Sequence, residues 1–271
     1  MQVSTSLKEL LGEDPLRELA LFTLKELRAC LFPLLFFAVL ACSKVFSFGL
    51  PRYDFIFLVA VAIQVGLVAT RIETIDEAKV LTVFHLLGLA LELFKTHPAI
   101  GSWSYPEAGF LRIGGVPLYS GFMYASVASY MCQAWRLFDL KLVGYPSYWL
   151  SVPLSAAIYL NFFTHHFIGD WRWWLLAGVL VVFRRTAVEF TVLARPRRMP
   201  LVLAFFLIGF FVWVAENIST FLGAWVYPEQ AHTWQMVGIG KISSWFLLVI
   251  ISFLVVADLK HVKANRDATG S

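Results

Sequence analysis

Carboxylates, imidazoles and indoles, the side chains that move protons or hold polar ligands, gather in two matching stretches of this 271-residue sequence. In the first, Glu92 closes an apolar run, a loop carries Lys95, His97, Trp103, Tyr105 and Glu107, and Gly114-Gly115 open a second apolar run. The same order returns 124 residues further on as Glu216-Asn217, Gly223, Trp225, Tyr227-Pro228-Glu229, His232, Trp234 and Gly238. The copies are approximate: Glu to Trp spans 11 residues in the first and nine in the second. A glutamate at the end of an apolar run can serve as a proton donor with a histidine as base, and in lipid an ionisable side chain is costly unless a partner or cavity receives it.

Glu92, Glu216, His165 and His166 are therefore the candidate acid–base groups. Lys95, His97, Trp103, Tyr105, Glu107, Asn161, Asn217, Trp225, Tyr227 and Lys241 are the candidate substrate contacts. Each has a structural alternative. Glu92 and Glu216 can tie helices together, through Lys95 or Lys241 for example. Tyr-Pro-Glu can be a turn with an interfacial tyrosine, and the glycines can let helices approach closely or leave helix N-terminal amides open to an anion. Neighbouring helical residues point about 100° apart, so His165 and His166 do not form an i, i+4 metal pair, and there is no CxxC or Cys/His zinc spacing. No metal and no cofactor is expected. GxSxG, Walker, Rossmann and HExxH patterns are missing from the sequence, which removes the familiar soluble-enzyme signatures.

The elements that must position these groups read as membrane helices. The chain is 59% hydrophobic and 15% charged, with mean hydropathy +0.72, outside the range of ordinary soluble domains. Eight apolar runs approach the length of about 20 residues that a span needs: 29–48, 53–70, 78–95, 113–135, 147–167, 172–190, 199–218 and 236–257. The expected fold is all-α, a polytopic transmembrane bundle of about eight spans, divisible into two tandem four-helix halves. Residues 1–28 form a cytoplasmic, amphipathic interfacial segment with Asp14 capping a helix that starts at Pro15. The transmembrane domain covers 29–257 and a polar cytoplasmic tail 258–271. Placing both termini inside puts 16 Lys and Arg on the inner side and five in the outer loops, the asymmetry that orients membrane proteins. Both Tyr-Pro-Glu loops then fall on the outer face. Cys30 and Cys42 lie about 18 Å apart along one helix and cannot pair. Membrane lipids and a lipid-like small molecule are the expected partners, and the missing basic stripe argues against nucleic acid. Oligomeric state is not encoded in any pattern of this sequence.

Glu92-Leu-Phe-Lys95, Trp103-Ser-Tyr-Pro106, Gly115-Val-Pro117-Leu-Tyr-Ser-Gly-Phe-Met123-Tyr, Asn161-Phe-Phe-Thr-His-His166, Glu216-Asn217 and Trp225-Val-Tyr-Pro228 together resemble the bacterial integral-membrane family catalogued as domain of unknown function 817. The likeness runs from about Leu21 to Lys260. It implies a bacterial inner-membrane location and carries no activity. A fainter similarity, confined to Glu92–Leu118, is to the multi-pass carotenoid hydratases and cyclases, and no catalytic residue is transferred from it. Three classes of function follow: a membrane-embedded enzyme on a lipid or isoprenoid-like substrate, a small-solute transporter or permease, and a non-catalytic membrane scaffold.

Overall fold

Long apolar runs bounded by proline, glycine and charge become helices wherever no residue interrupts the i to i−4 ladder, and the interruptions decide the rest. A computed structural model describes residues 15–269, which are mostly helical. The helices are α1 (Pro15–Ala29), α2 (Leu31–Cys42), α3 (Arg52–Ala69), α4 (Ile75–Lys95), α5 (Ser120–Leu137), α6 (Tyr148–Ile168), α7 (Arg172–Val182), α8 (Leu201–Phe221) and α9 (Lys241–Thr269). Each expected span overlaps one of α2 to α9. Among the described residues, only α3 and α8, with mean hydropathies of 1.7 and 2.2, are both long and apolar enough to cross a membrane by themselves. At 12 and 11 residues, α2 and α7 reach about 18 and 17 Å, short of a roughly 30 Å hydrocarbon layer.

The all-α expectation is corrected by two small antiparallel sheets. Gly114 and Gly115, at φ 55° and 86°, do not open a helix; they turn the hairpin in which β1 (Arg112–Ile113) pairs with β2 (Val116–Pro117). Two successive positive φ angles make the tight turn that glycine adopts without strain. Val116 and Pro117 are held in the hairpin, and the following helix starts at Ser120. The sixth apolar run likewise leaves the helix before its expected end at 190. After Val182 the chain turns through Arg184-Arg185, and β4 (Ala187–Thr191) lies between β3 (Lys141–Val143) and β5 (Pro196–Pro200). Val188, Phe190 and Thr191 favour a pleated surface, and the prolines of β5 suit an edge.

Helix α5 is the central post, packed against α1, α2, α4 and α9. The pairs α4–α5 and α8–α9 are the most intimate. A Cβ on Gly121 would lie 2.6 Å from the His85 carbonyl oxygen, and one on Gly209 3.0 Å from Phe246 Cα, so both crossings depend on glycine. Thr74 and Glu77 form a reciprocal capping box at the start of α4. Lys241, expected a turn or two inside the last span, is the first residue of α9. That helix runs on through the expected polar tail to Thr269, whereas residues 1–14 of the expected amphipathic segment, including the Asp14 cap, lie outside the described residues.

Candidate functional site

Glu92 stands near the end of α4 and is 2% exposed. Its Oε2 accepts hydrogen bonds from Trp103 Nε1 at 2.6 Å and the Tyr105 hydroxyl at 2.7 Å, and its Oε1 accepts one from the Tyr124 hydroxyl at 2.8 Å. Glu216 repeats this on α8, where the Tyr227 hydroxyl donates to Oε1 at 2.5 Å and Trp245 Nε1 to Oε2 at 2.6 Å. In each copy the tyrosine of Trp-x-Tyr-Pro reaches back to the glutamate of its own half, and an aromatic donor near the start of the next helix, Tyr124 or Trp245, completes the shell. Both carboxylates are thus held by neutral indole and phenol donors instead of by Lys or Arg. Burial, and next the Glu92 charge, pushes the Tyr105 hydroxyl well above its usual range, and burial with the Glu216 charge does the same to Tyr227, so both phenols remain donors.

The two loops meet. Ser104 and Val226, the middle residues of Trp-Ser-Tyr and Trp-Val-Tyr, form an antiparallel bridge. Because the bridge joins equivalent positions, a local two-fold relates the copies. Period-two alternation places Trp103, Tyr105, Trp225 and Tyr227 on the opposite side from the bridged pair, and the Trp103 and Tyr227 rings meet edge-on at 6.0 Å. Arg52 clamps the assembly. Its guanidinium donates to Glu107 Oε1 at 2.6 Å, to the Leu222 and Gly223 carbonyls at 2.7 and 3.1 Å, and to Ser43 Oγ at 2.9 Å. Tyr119 adds a hydrogen bond from its hydroxyl to the Ala224 carbonyl.

Glu92 and Glu216 open onto one cavity of about 850 Å³. Lys95, Trp103, Asn161, His165, Trp225, Tyr227 and Lys241 share its wall with Arg172 and with Glu26 of α1, and most of the remaining lining is apolar. The other predicted residues lie off this wall. His97 is exposed and accepts the Ala99 amide at 3.3 Å through Nδ1. Glu107 is engaged by Arg52, and Asn217 bridges the Trp213 carbonyl and the Val237 amide at 2.8 Å each. His166 accepts from Lys95 Nζ at 2.9 Å, while His165 Nδ1 lies 3.0 Å from the Asn161 carbonyl. Their rings, expected to diverge, lie 3.9 Å apart between centroids, tilted by 35°. The amides at the start of α9 are not open to an anion, since those of Lys241, Ile242 and Ser243 donate to Gly238, Ile239 and Gly240 carbonyls. Among the described residues no group of three His, Cys, Asp or Glu is placed to hold a metal ion.

Sequence reasoning missed Tyr124, Trp245 and Arg172. The first two follow the repeated loop by 19 and 18 residues (124−105 and 245−227), so extending the repeat comparison into the next helix would have found them. It also missed Glu73, whose carboxylate, 2% exposed, accepts from Gln64 Nε2 and Ser129 Oγ at 2.5 Å each.

Fold and site define a mostly helical protein in which two copies of an acid–aromatic turn close one end of an apolar cavity. The family described as "Protein of unknown function (DUF817)" matches residues 18–253, and the chain belongs to that family. It is similar to "Uncharacterized protein YoaT" of Bacillus subtilis (strain 168), with 57% identity over 249 residues covering 92% of this chain and 94% of the relative. No solved structure gives a significant match.

Proposed function

We propose that this chain is an integral membrane protein of the bacterial inner membrane, with both termini cytoplasmic, that binds a lipid or isoprenoid-like molecule in its cavity and carries out proton-transfer chemistry on it. The supporting observation is that both buried glutamates and His165 open onto one apolar cavity, of a size that encloses a small ligand. The outer surface supports a lipid setting. Phe211 on α8 is 65% exposed, Val65 on α3 62%, Leu86 on α4 60% and Leu160 on α6 60%, apolar side chains turned outward from the middle of four helices. Trp149, Trp171, Trp173 and Trp174 are also exposed, as an interfacial belt requires. In this reading α2 to α9 make the eight-pass domain, and the short helices rely on neighbours and on α1 to complete the crossing.

A carboxylate has about four lone-pair sites. Glu92 uses three and Glu216 two, which makes Glu216 the proton-transfer group and Glu92 the residue that fixes the loop, with His165 as proton partner. Lipids extracted from purified wild-type and Glu216→Gln protein and compared by mass spectrometry test this. The expected result is a bound single-chain lipid whose chemical form differs between the two. Absence of any bound lipid, or identical lipids in both, overturns the enzymatic reading. The local two-fold between the loops favours a second reading, a transporter with its site between parallel repeats; it predicts the same lipid in unchanged form.

A further inference from the structure

The cationic side chains that line the cavity gather beside Glu92 and Glu216, whereas Glu26 of α1, elsewhere on the wall, is hydrogen-bonded with Tyr130. Lys95, Arg172 and Lys241 all reach the wall beside the glutamates. Asp170 neutralises Arg172 at 3.0 Å. Among the described residues neither Lys95 nor Lys241 makes an ion pair. Lys95, 3% exposed, donates to His166 at 2.9 Å and has its ammonium 4.5 Å from the centre of the Phe162 ring. The Lys241 ammonium lies 3.2 Å from the centre of the Tyr227 ring. An ammonium has three donors, and aromatic faces with one imidazole leave most of that capacity unused in surroundings where an uncompensated charge is costly. Glu216 and Glu229 act on the Lys241 charge, and Asp170 on that of Lys95, only from beyond ion-pair distance, and the oxygens of Glu92 and Glu216 accept from indoles and phenols instead. Arg172 Nη1 donates to Ser243 Oγ at 3.4 Å, which brings the start of α7 beside the start of α9 and Lys241.

From this polar end one face of α5 lines the cavity, through Met123, Val127, Tyr130, Ala134 and Phe138. Fifteen helical steps cover about 22 Å, roughly two thirds of a hydrocarbon layer. Phe22 of α1 closes the far end against Phe138, with ring centroids 5.4 Å apart.

We propose that the cavity binds a single-chain amphiphile with an anionic head, carboxylate or phosphate, the head seated at Lys95 and Lys241 beside Arg172 and the chain laid along α5. The inference rests on the lipid-cavity reading above and names its ligand class. The head then gives the two lysines the direct ion-pair partner that no side chain supplies among the described residues, and places the first carbons of the chain next to Glu216.

The full-length protein in a non-ionic detergent is titrated with hexadecyl phosphate, palmitate, hexadecanol, hexadecyltrimethylammonium and inorganic phosphate, binding being read from the fluorescence of Trp103, Trp225 and Trp245 at the site. Hexadecyl phosphate or palmitate should bind roughly tenfold or more tightly than hexadecanol, as expected for charge-assisted hydrogen bonds; the tighter of the two identifies the head. The cationic amphiphile should bind weakest, and inorganic phosphate alone should not compete. Lys95→Gln and Lys241→Gln should each remove most of that preference, folding of the variants being checked by circular dichroism. Equal binding of the anionic, neutral and cationic heads, or a preference that survives in folded lysine variants, overturns the proposal and leaves the lipid-cavity reading standing. If no amphiphile binds, that underlying reading fails. Should both variants misfold, the comparison of heads on the wild type decides by itself.

Discussion

Ser104 and Val226 exchange both backbone hydrogen bonds, at 2.9 Å from the Ser104 amide to the Val226 carbonyl and 3.0 Å in return. Each sits between a Trp and a Tyr of the repeated turn, so this pair is where the two halves of the chain register against each other. Alternation along an extended segment then sends the indoles and phenols toward Glu92 and Glu216 together.

Reciprocally bonded antiparallel residues have Cα atoms about 5.5 Å apart, inside the range a disulfide spans. In a background with Cys30, Cys42 and Cys132 replaced by Ala, the Ser104→Cys, Val226→Cys protein should form an intramolecular disulfide under mild oxidation. Peptide mass mapping checks it. A pair that stays reduced while reacting with a maleimide would show that the loops are not paired in this register.

Glutamine keeps one acceptor oxygen and points an amide donor at other donors. Glu92→Gln should therefore lower stability by about 2–3 kcal/mol through the three donors it strands, and Tyr124→Phe by about 1 kcal/mol through loss of one hydrogen bond. Chemical unfolding in mixed micelles gives the order, and a Tyr124→Phe loss equal to that of Glu92→Gln would contradict the shell described here.

Gly121 and Gly66 offer a paired test of packing. A Cβ at Gly121 meets backbone at 2.6 Å, whereas one at Gly66 has nothing within 4 Å. Gly121→Ala should cost about 1–3 kcal/mol by forcing α4 and α5 apart, and Gly66→Ala should be neutral or stabilise by up to about 1 kcal/mol by reducing chain entropy. The same unfolding assay separates the two.

Helix α1 is latched to β5 by Glu18, whose oxygens accept from Arg197 Nε and Nη2 at 2.7 and 2.5 Å. The hydrogen bond from Arg197, reinforced by its charge, holds the Glu18 carboxyl below its ordinary value of 4.5. The folded-state pKa is depressed, so the contribution is fully present above the unfolded value and is lost as pH falls through the folded one. A fluorescence pair on α1 and β5 should report release of α1 below about pH 4.5. Glu18→Gln should flatten that profile, and an unchanged acid limb in the variant would assign the transition to another group.

Sequence alone determined the mostly helical class, the helix positions and the repeated acid–aromatic turn, because hydrophobic run length and residue order are local properties. It reached Glu92, Glu216, Trp103, Tyr105, Trp225 and Tyr227 for the same reason. Only tertiary structure decided that Tyr124 and Trp245 complete the carboxylate shells, that Arg52 binds both loops, that His97 and Asn217 stay off the cavity wall, and that residues 187–191 pair as a strand beside two prolines of β5. Those outcomes depend on which surfaces meet. Helical periodicity gives the face a side chain occupies, but the partner across from it is set by close approaches such as Gly121 against His85 and by one bridge between residues 122 positions apart (226−104), distances along the chain at which no local pattern survives.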